Sequence, residues 1–115
     1  MNKKRIHQIS EEVKRSISDI IQNKLKDPRI PILTSVSHVE VTGDLSYAKI
    51  YISVLGSDED RESALEGLES AKGFIKKELS REVKLRVMPE LIFIKDDSIE
   101  KGIEMSKLID EVNHE

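Results

Sequence analysis

The side chains that could carry out catalysis are few and dispersed in this sequence. His7, His38 and His114 lie far apart and lack the spacing of metal ligands. The absence of cysteine excludes a thiolate metal site, a cysteine nucleophile and a disulfide framework. The five glycines are isolated, so there is no phosphate-binding loop. The carboxylates at 58–60 and 96–97 stand at predicted helix starts, where capping and the helix dipole explain them. The sequence therefore predicts a protein that is not an enzyme and needs neither cofactor nor metal.

Basic side chains are the remaining candidates, because they recur at helical spacing. Lys4, Arg15 and Lys26 are eleven residues apart, which at about 100° per residue places them on one stripe opposite the apolar face. Such stripes suit phosphate contacts, although a merely solvated outer face is the commoner role of any one stripe. The candidate phosphate ligands are Lys3, Lys4, Arg5, Arg15, Lys26, Arg29, Lys72, Lys76, Lys77, Arg81, Lys84 and Arg86.

The charge of the chain is segregated along its length. The formal net charge of -3 would by itself argue against a nucleic-acid partner. Residues 1–29 and 71–95 each carry +4, whereas residues 30–70 carry -6 and residues 96–115 carry -5. We therefore expect two faces of opposite sign, with the anionic one turned away from RNA.

Hydrophobic periodicity places the basic stripes on helices. Apolar residues recur at helical spacing from Ile6 to Leu25, and Asp27-Pro28 ends the pattern. A second helix begins near Asp60 and continues past a predicted kink at Ala71, Lys72 and Gly73. Glycine costs about 1 kcal/mol in a helix relative to alanine and permits a change of direction there.

The strands are predicted from a change to period two. Residues 32–55 alternate around a turn at 42–44, which predicts a β-hairpin. Residues 91–94 are apolar on both faces, which predicts a strand buried in the middle of the sheet. Asp97 can cap a last helix, in which the residues between the apolar positions are largely acidic. An α+β domain follows, in which a three-stranded sheet packs against helices.

Three segments resemble the bacterial ribosome-binding factor A family over essentially the whole chain. They are Leu25-Lys-Asp-Pro-Arg29, the hairpin from Thr34 to Val54 with its Asp44-Leu45 turn, and the stretch from Leu85 to Ser98. The resemblance implies a type II K-homology (KH) fold, in which a kink centred on Ala71 replaces the usual Gly-x-x-Gly loop. It also implies binding to the small ribosomal subunit and its 16S rRNA, late maturation and 5′-end processing of the 16S rRNA precursor, and growth in the cold.

These expectations extend to the organisation of the whole chain. We expect residues 1–115 to form one KH-like RNA-binding domain, with residues from about 99 to 115 as a C-terminal acidic helix or tail. No apolar run approaches the roughly 18 residues of a membrane span, and a reducing cytoplasm fits a chain without cysteine. Neither a membrane nor a small-molecule substrate is expected, and the charged hairpin edge favours a monomer.

Two other functions remain open from the sequence. A small protein-interaction adaptor would use the hairpin face that bears Tyr47, Lys49, Tyr51 and Ser53, or the acidic C-terminal helix. The same face could stack bases, although four aromatic residues in the chain are few for that purpose. A small enzyme is the weaker alternative, because no constellation of carboxylates or histidines suggests a pocket.

Overall fold

The computed structural model describes residues 2–96, which form three helices and a three-stranded sheet. The elements are α1 (Lys3–Asp19), continued by a π-helical turn (Ile20–Lys24), β1 (Thr34–Val41), β2 (Tyr47–Val54), α2 (Asp58–Ser70), α3 (Lys72–Glu82) and β3 (Glu90–Lys95). The predicted α+β architecture and order of elements are thus confirmed over this range. The predicted last helix lies outside the described residues.

One hydrophobic core joins the helices to one face of the sheet. The buried face of α1 carries Val13 and Ile17, which belong to the same cluster as Ile50 of β2, Ile75 of α3 and Leu91 of β3. The apolar stripe predicted along the first helix is therefore the core side of α1. Because α1 is amphipathic, its charged residues are left on the side that faces away from the sheet.

The sheet has the order β1-β2-β3, with β1 antiparallel and β3 parallel to β2. The hairpin is confirmed, and its turn holds Leu45 at a φ of 61° with the side chain buried. Asp44 supports the turn by accepting hydrogen bonds from the Thr42 hydroxyl at 2.9 Å and from the Ser46 N–H at 3.0 Å. A register shift between Val36 and His38 interrupts the pairing of β1 with β2.

The position predicted for the last strand is wrong, since β3 lies at an edge and β2 occupies the middle. Leu91 and Phe93 point into the core, while Ile92 and Ile94 are half-buried on the opposite face. Partial cover of that second face is enough to give an apolar pattern on both sides. The pattern therefore indicated two-sided burial without showing that a strand pairs on both of its edges.

The predicted kink is confirmed between α2 and α3, and it is centred on Ala71. This residue has φ -90° and ψ 3°, outside the range of a regular helix. Its N–H still donates to the Gly67 carbonyl at 3.0 Å, and its carbonyl accepts from the Ile75 N–H at 2.9 Å. Gly73 lies inside α3 without a positive φ, and a Cβ there would meet nothing within 4 Å. The bend therefore does not depend on the conformational freedom of Gly73.

Two helical glycines should respond oppositely to alanine. Gly67→Ala is expected to lower the free energy of unfolding by about 1 kcal/mol, because the new Cβ would lie 2.7 Å from Cγ1 of Ile30. Gly73→Ala is expected to raise it by about 0.5–1 kcal/mol, since the added methyl group favours the helix and has open space around it. Urea unfolding of the two variants measures both changes. Changes of the same sign would contradict this account of the two positions.

Within residues 2–96, no helix is both long and apolar enough to cross a membrane. The same residues contain no group of three or more His, Asp or Glu side chains arranged to hold a metal ion.

Candidate nucleic-acid interface

Ionic contacts join α1 to α3 on the same side of the sheet. Lys24 Nζ, in the π-helical turn, lies 2.6 Å from Oε1 of Glu82 and 3.2 Å from Oε2 of Glu78. The Ser16 hydroxyl also donates to Glu82. These contacts raise the pKa of Lys24, chiefly through Glu82, and lower the pKa of Glu82, chiefly through Lys24. Lys24 therefore stabilises the packing of the two helices, a role that its position in the sequence did not indicate.

Four of the twelve predicted phosphate ligands have a carboxylate partner. The pairs are Arg29 with Asp27 at 2.7 Å, Lys72 with Glu69 at 2.9 Å, Lys76 with Glu90 at 2.8 Å and Arg81 with Glu78 at 3.4 Å. Lys76 is also the main cause of a lowered pKa of Glu90. Such pairing offsets the charge that a phosphate would meet, most of all beside the bend, where Glu90 lies near both Lys72 and Lys76.

The other eight predicted ligands are exposed, and within residues 2–96 they have no ion-pair partner. We call them the unpaired cations: Lys3, Lys4, Arg5, Arg15, Lys26, Lys77, Lys84 and Arg86. Their charge is available to an external anion without first breaking an ion pair. They are therefore the predicted ligands that a phosphate could reach without displacing a carboxylate.

Three of the unpaired cations occupy the first turn of α1. Lys3, Lys4 and Arg5 follow the N-cap Asn2, whose side chain accepts the Arg5 N–H at 2.8 Å, and the turn holds no acidic residue. Positive side chains at this end oppose the helix dipole, at a cost of about 0.3–1 kcal/mol each. A bound phosphate would relieve that repulsion, because helix N-termini and cations both attract anions.

The unpaired cations are spread along the chain, from the first turn of α1 to the segment that follows α3. Lys3 lies near the hairpin end of β1, in a cleft that Val41 also lines. Arg15 is twelve residues further along α1, about 18 Å at the helical rise of about 1.5 Å per residue. It lines a shallow depression together with three carboxylate residues, Glu12, Asp19 and Glu82, and with Val83, which directly precedes Lys84. The convergence of both basic helices on one RNA-binding surface beside the bend therefore stays a prediction.

The open face of the sheet carries the tyrosines that the sequence singled out. Tyr47 is exposed, and the Tyr51 ring is 5.6 Å from the ring of His38 on β1, measured between centroids. Lys49 stands opposite Glu40 on the neighbouring strand, and Ser53 is buried. A carboxylate beside the only lysine of this strand makes the face a poorer phosphate site than the helices.

Comparison with known proteins finds relatives over most of the chain. The sequence model of the family described as Ribosome-binding factor A matches residues 5–109. A Ribosome-binding factor A from Acetivibrio thermocellus is 57% identical over 95% of this chain and 89% of its own length. One from Clostridioides difficile is 50% identical over 95% of this chain and 85% of its own.

Solved structures of similar proteins share the fold. The solution structure of a ribosome-binding factor A from Thermotoga maritima is 34% identical, covers 84% of this chain and 92% of its own, and has a TM-score of 0.73. The crystal structure of ribosome-binding factor A from Thermus thermophilus is 29% identical, covers 78% and 93%, and has a TM-score of 0.70. These neighbours are consistent with the KH-like arrangement, and the chain belongs to the ribosome-binding factor A family.

Proposed function

We propose that this chain binds the small ribosomal subunit through its 16S rRNA and assists late maturation, including 5′-end processing of the 16S rRNA precursor. The observation that carries the proposal is the set of eight exposed, unpaired cations on a chain whose net charge is -3. Family membership supports it, as does a Thermus thermophilus homology model fitted into the cryo-EM map of a 30S complex.

In the proposed mechanism the unpaired cations contact phosphates and the shape of the RNA sets the target. Glu69 and Glu90 flank the bend where a KH domain would present Gly-x-x-Gly, so this region is poorly suited to clamp a single-stranded backbone. Binding then favours one conformation of the immature subunit RNA through differential affinity. No covalent step and no nucleotide hydrolysis is required, and the chain acts as a monomeric cytoplasmic binding factor.

Sedimentation with ribosomal fractions tests the proposal against a protein-interaction adaptor. The full chain is expected to sediment with small subunits and to return to the top of the gradient once ribonuclease has digested the RNA. The Lys77→Ala, Lys84→Ala, Arg86→Ala variant is the control. It should fold like the original chain, but it has three fewer unpaired cations, so less of it should sediment with small subunits. Binding to ribonuclease-treated protein particles as tight as the binding to intact subunits would instead support the adaptor.

A further inference from the structure

Three aliphatic side chains are exposed together at one end of the sheet. Ile32 is 97% exposed, Leu33 61% and Leu55 60%. They are neighbours, because the Leu55 N–H donates to the Leu33 carbonyl at 3.3 Å and Ile32 precedes Leu33. We call these residues the aliphatic patch. Apolar groups brought together in this way are typical of contact surfaces, whereas single exposed aliphatic residues need no explanation.

A cleft of about 580 Å³ adjoins the patch and includes Ile32 in its lining. Thr34 also lines it, at 2% exposure, and its hydroxyl has no hydrogen-bond partner among residues 2–96. The opposite wall begins at the π-helical turn, an irregularity that is frequent at functional sites. A buried hydroxyl without a hydrogen-bond partner lowers the stability of a fold by about 1–3 kcal/mol. The hydrogen bonding at this end of the sheet is therefore incomplete.

An acidic helix borders the same corner. α2 carries six exposed carboxylate residues, and Glu59 among them has no ion-pair partner within residues 2–96. Glu66 lies near Arg29 and contributes, after Asp27, to the raised pKa of that guanidinium. The helix lies against the loop that leads to the patch, since the Ser63 hydroxyl donates to the Arg29 carbonyl at 2.7 Å. An occupant of the patch must therefore tolerate a negative border and is favoured if it is positively charged.

We infer that the aliphatic patch and its cleft dock a basic protein of the small ribosomal subunit, through an aliphatic side chain flanked by lysine or arginine. That the partner belongs to the small ribosomal subunit rests on the proposed function. That the partner is basic and docks through an aliphatic side chain rests on the aliphatic patch and on α2. Of the unpaired cations, Lys26 lines the cleft together with Asp27, so the charged residues of the cleft lining sum to zero. The sign of the border is therefore set by α2, which has six acidic residues and one basic residue. The chain would thus contact RNA with its basic helices and protein with its acidic helix.

Charge disfavours the other occupants. RNA phosphates would be repelled by α2. A second copy docked through the same patch on both molecules would bring two α2 helices together. The chain's own residues 97–115 contain six acidic and two basic residues, so they too would meet repulsion at this border. A basic protein satisfies both the apolar surface and its anionic edge.

Replacement of patch residues separates protein docking from RNA binding. The full chain with Ile32→Ser and Leu33→Ser is expected to bind intact small subunits about 10- to 100-fold more weakly, because two aliphatic contacts are lost. Its affinity for protein-free 16S rRNA should be unchanged. Val87→Ser is the matched control, since Val87 is 57% exposed and lies outside the patch. An unchanged affinity for intact subunits, or an equal loss on protein-free rRNA, would overturn the inference.

Photo-cross-linking identifies the occupant directly. A benzophenone amino acid in place of Ile32, in the full chain, is expected to cross-link to a protein of the bound subunit. A cross-link to rRNA, to a second copy or to residues 97–115 would refute the inference and name the true occupant. If the unsubstituted chain fails to bind subunits at all, the proposed function and this docking partner are both wrong. Binding without any effect of the patch variants refutes the docking inference alone.

Discussion

Replacement of Lys3, Lys4 and Arg5 together by alanine is expected to weaken binding to small subunits by about 100-fold. These three cations are exposed and unpaired within residues 2–96, and they stand at the positive end of α1. Each lost phosphate contact should remove about 1 kcal/mol of binding free energy, and tenfold in affinity corresponds to about 1.4 kcal/mol. Equilibrium binding to isolated subunits measures the change.

The fold of this triple variant should be no less stable than that of the original chain. Its alanines remove charges that oppose the helix dipole, and alanine is the strongest helix former. We therefore expect an unchanged or slightly higher free energy of unfolding beside the large loss of binding. The charge-preserving variant Lys3→Arg, Lys4→Arg, Arg5→Lys should bind almost normally. A stable alanine variant that binds as tightly as the original chain would remove the first turn of α1 from the interface.

Replacement of Lys77, Lys84 and Arg86 by alanine is expected to weaken subunit binding by a similar factor of about 100. All three side chains are exposed, and Lys84 directly follows Val83, which lines the depression that contains Arg15. None makes an ion pair within residues 2–96, so their removal leaves no carboxylate without a partner. Binding to isolated subunits and thermal unfolding, measured together, separate a lost contact from a lost fold.

The matched control removes ion pairs instead of unpaired cations. Lys76→Ala with Glu90→Ala deletes the pair at 2.8 Å and leaves the net charge unchanged. Because exposed pairs contribute only about 0–1 kcal/mol to stability, this variant should fold, and its subunit affinity should change by less than about threefold. If this variant and the Lys77, Lys84, Arg86 alanine variant lose the same subunit affinity, pairing with a carboxylate does not decide which cations contact the RNA.

Local features of this fold could be predicted from the sequence, because they depend on residues close in the chain. The apolar repeat of α1, the alternation in the hairpin and the break at Ala71 all fall in this class. The edge position of β3 could not be predicted, since strand order depends on which segments pair across the sheet. Nor did the sequence show the π-helical turn at Ile20–Lys24, where the helical spacing of apolar residues continues unbroken.

The candidate interface was predicted less completely than the fold, for a related physical reason. A helical projection shows which lysines share a stripe, but ion pairing depends on tertiary neighbours. Glu90 reaches Lys76 across 14 residues and Glu82 reaches Lys24 across 58, so neither pair could be predicted from spacing along one helix. The aliphatic patch also gave no signal, because Ile32 and Leu33 in a short loop look like ordinary core residues until their exposure is known.

The central claim is that unpaired cations on α1, on α3 and in the segment that follows α3 bind phosphates of the small-subunit RNA. Its most direct test is the salt dependence of the association constant for isolated small subunits, compared between the original chain and the Lys77, Lys84, Arg86 alanine variant. Each phosphate contact contributes about 0.7–0.9 to the slope of log affinity against log salt. We predict a slope smaller in magnitude by about 2 to 3 for the variant. An identical slope for the two proteins would contradict the claim.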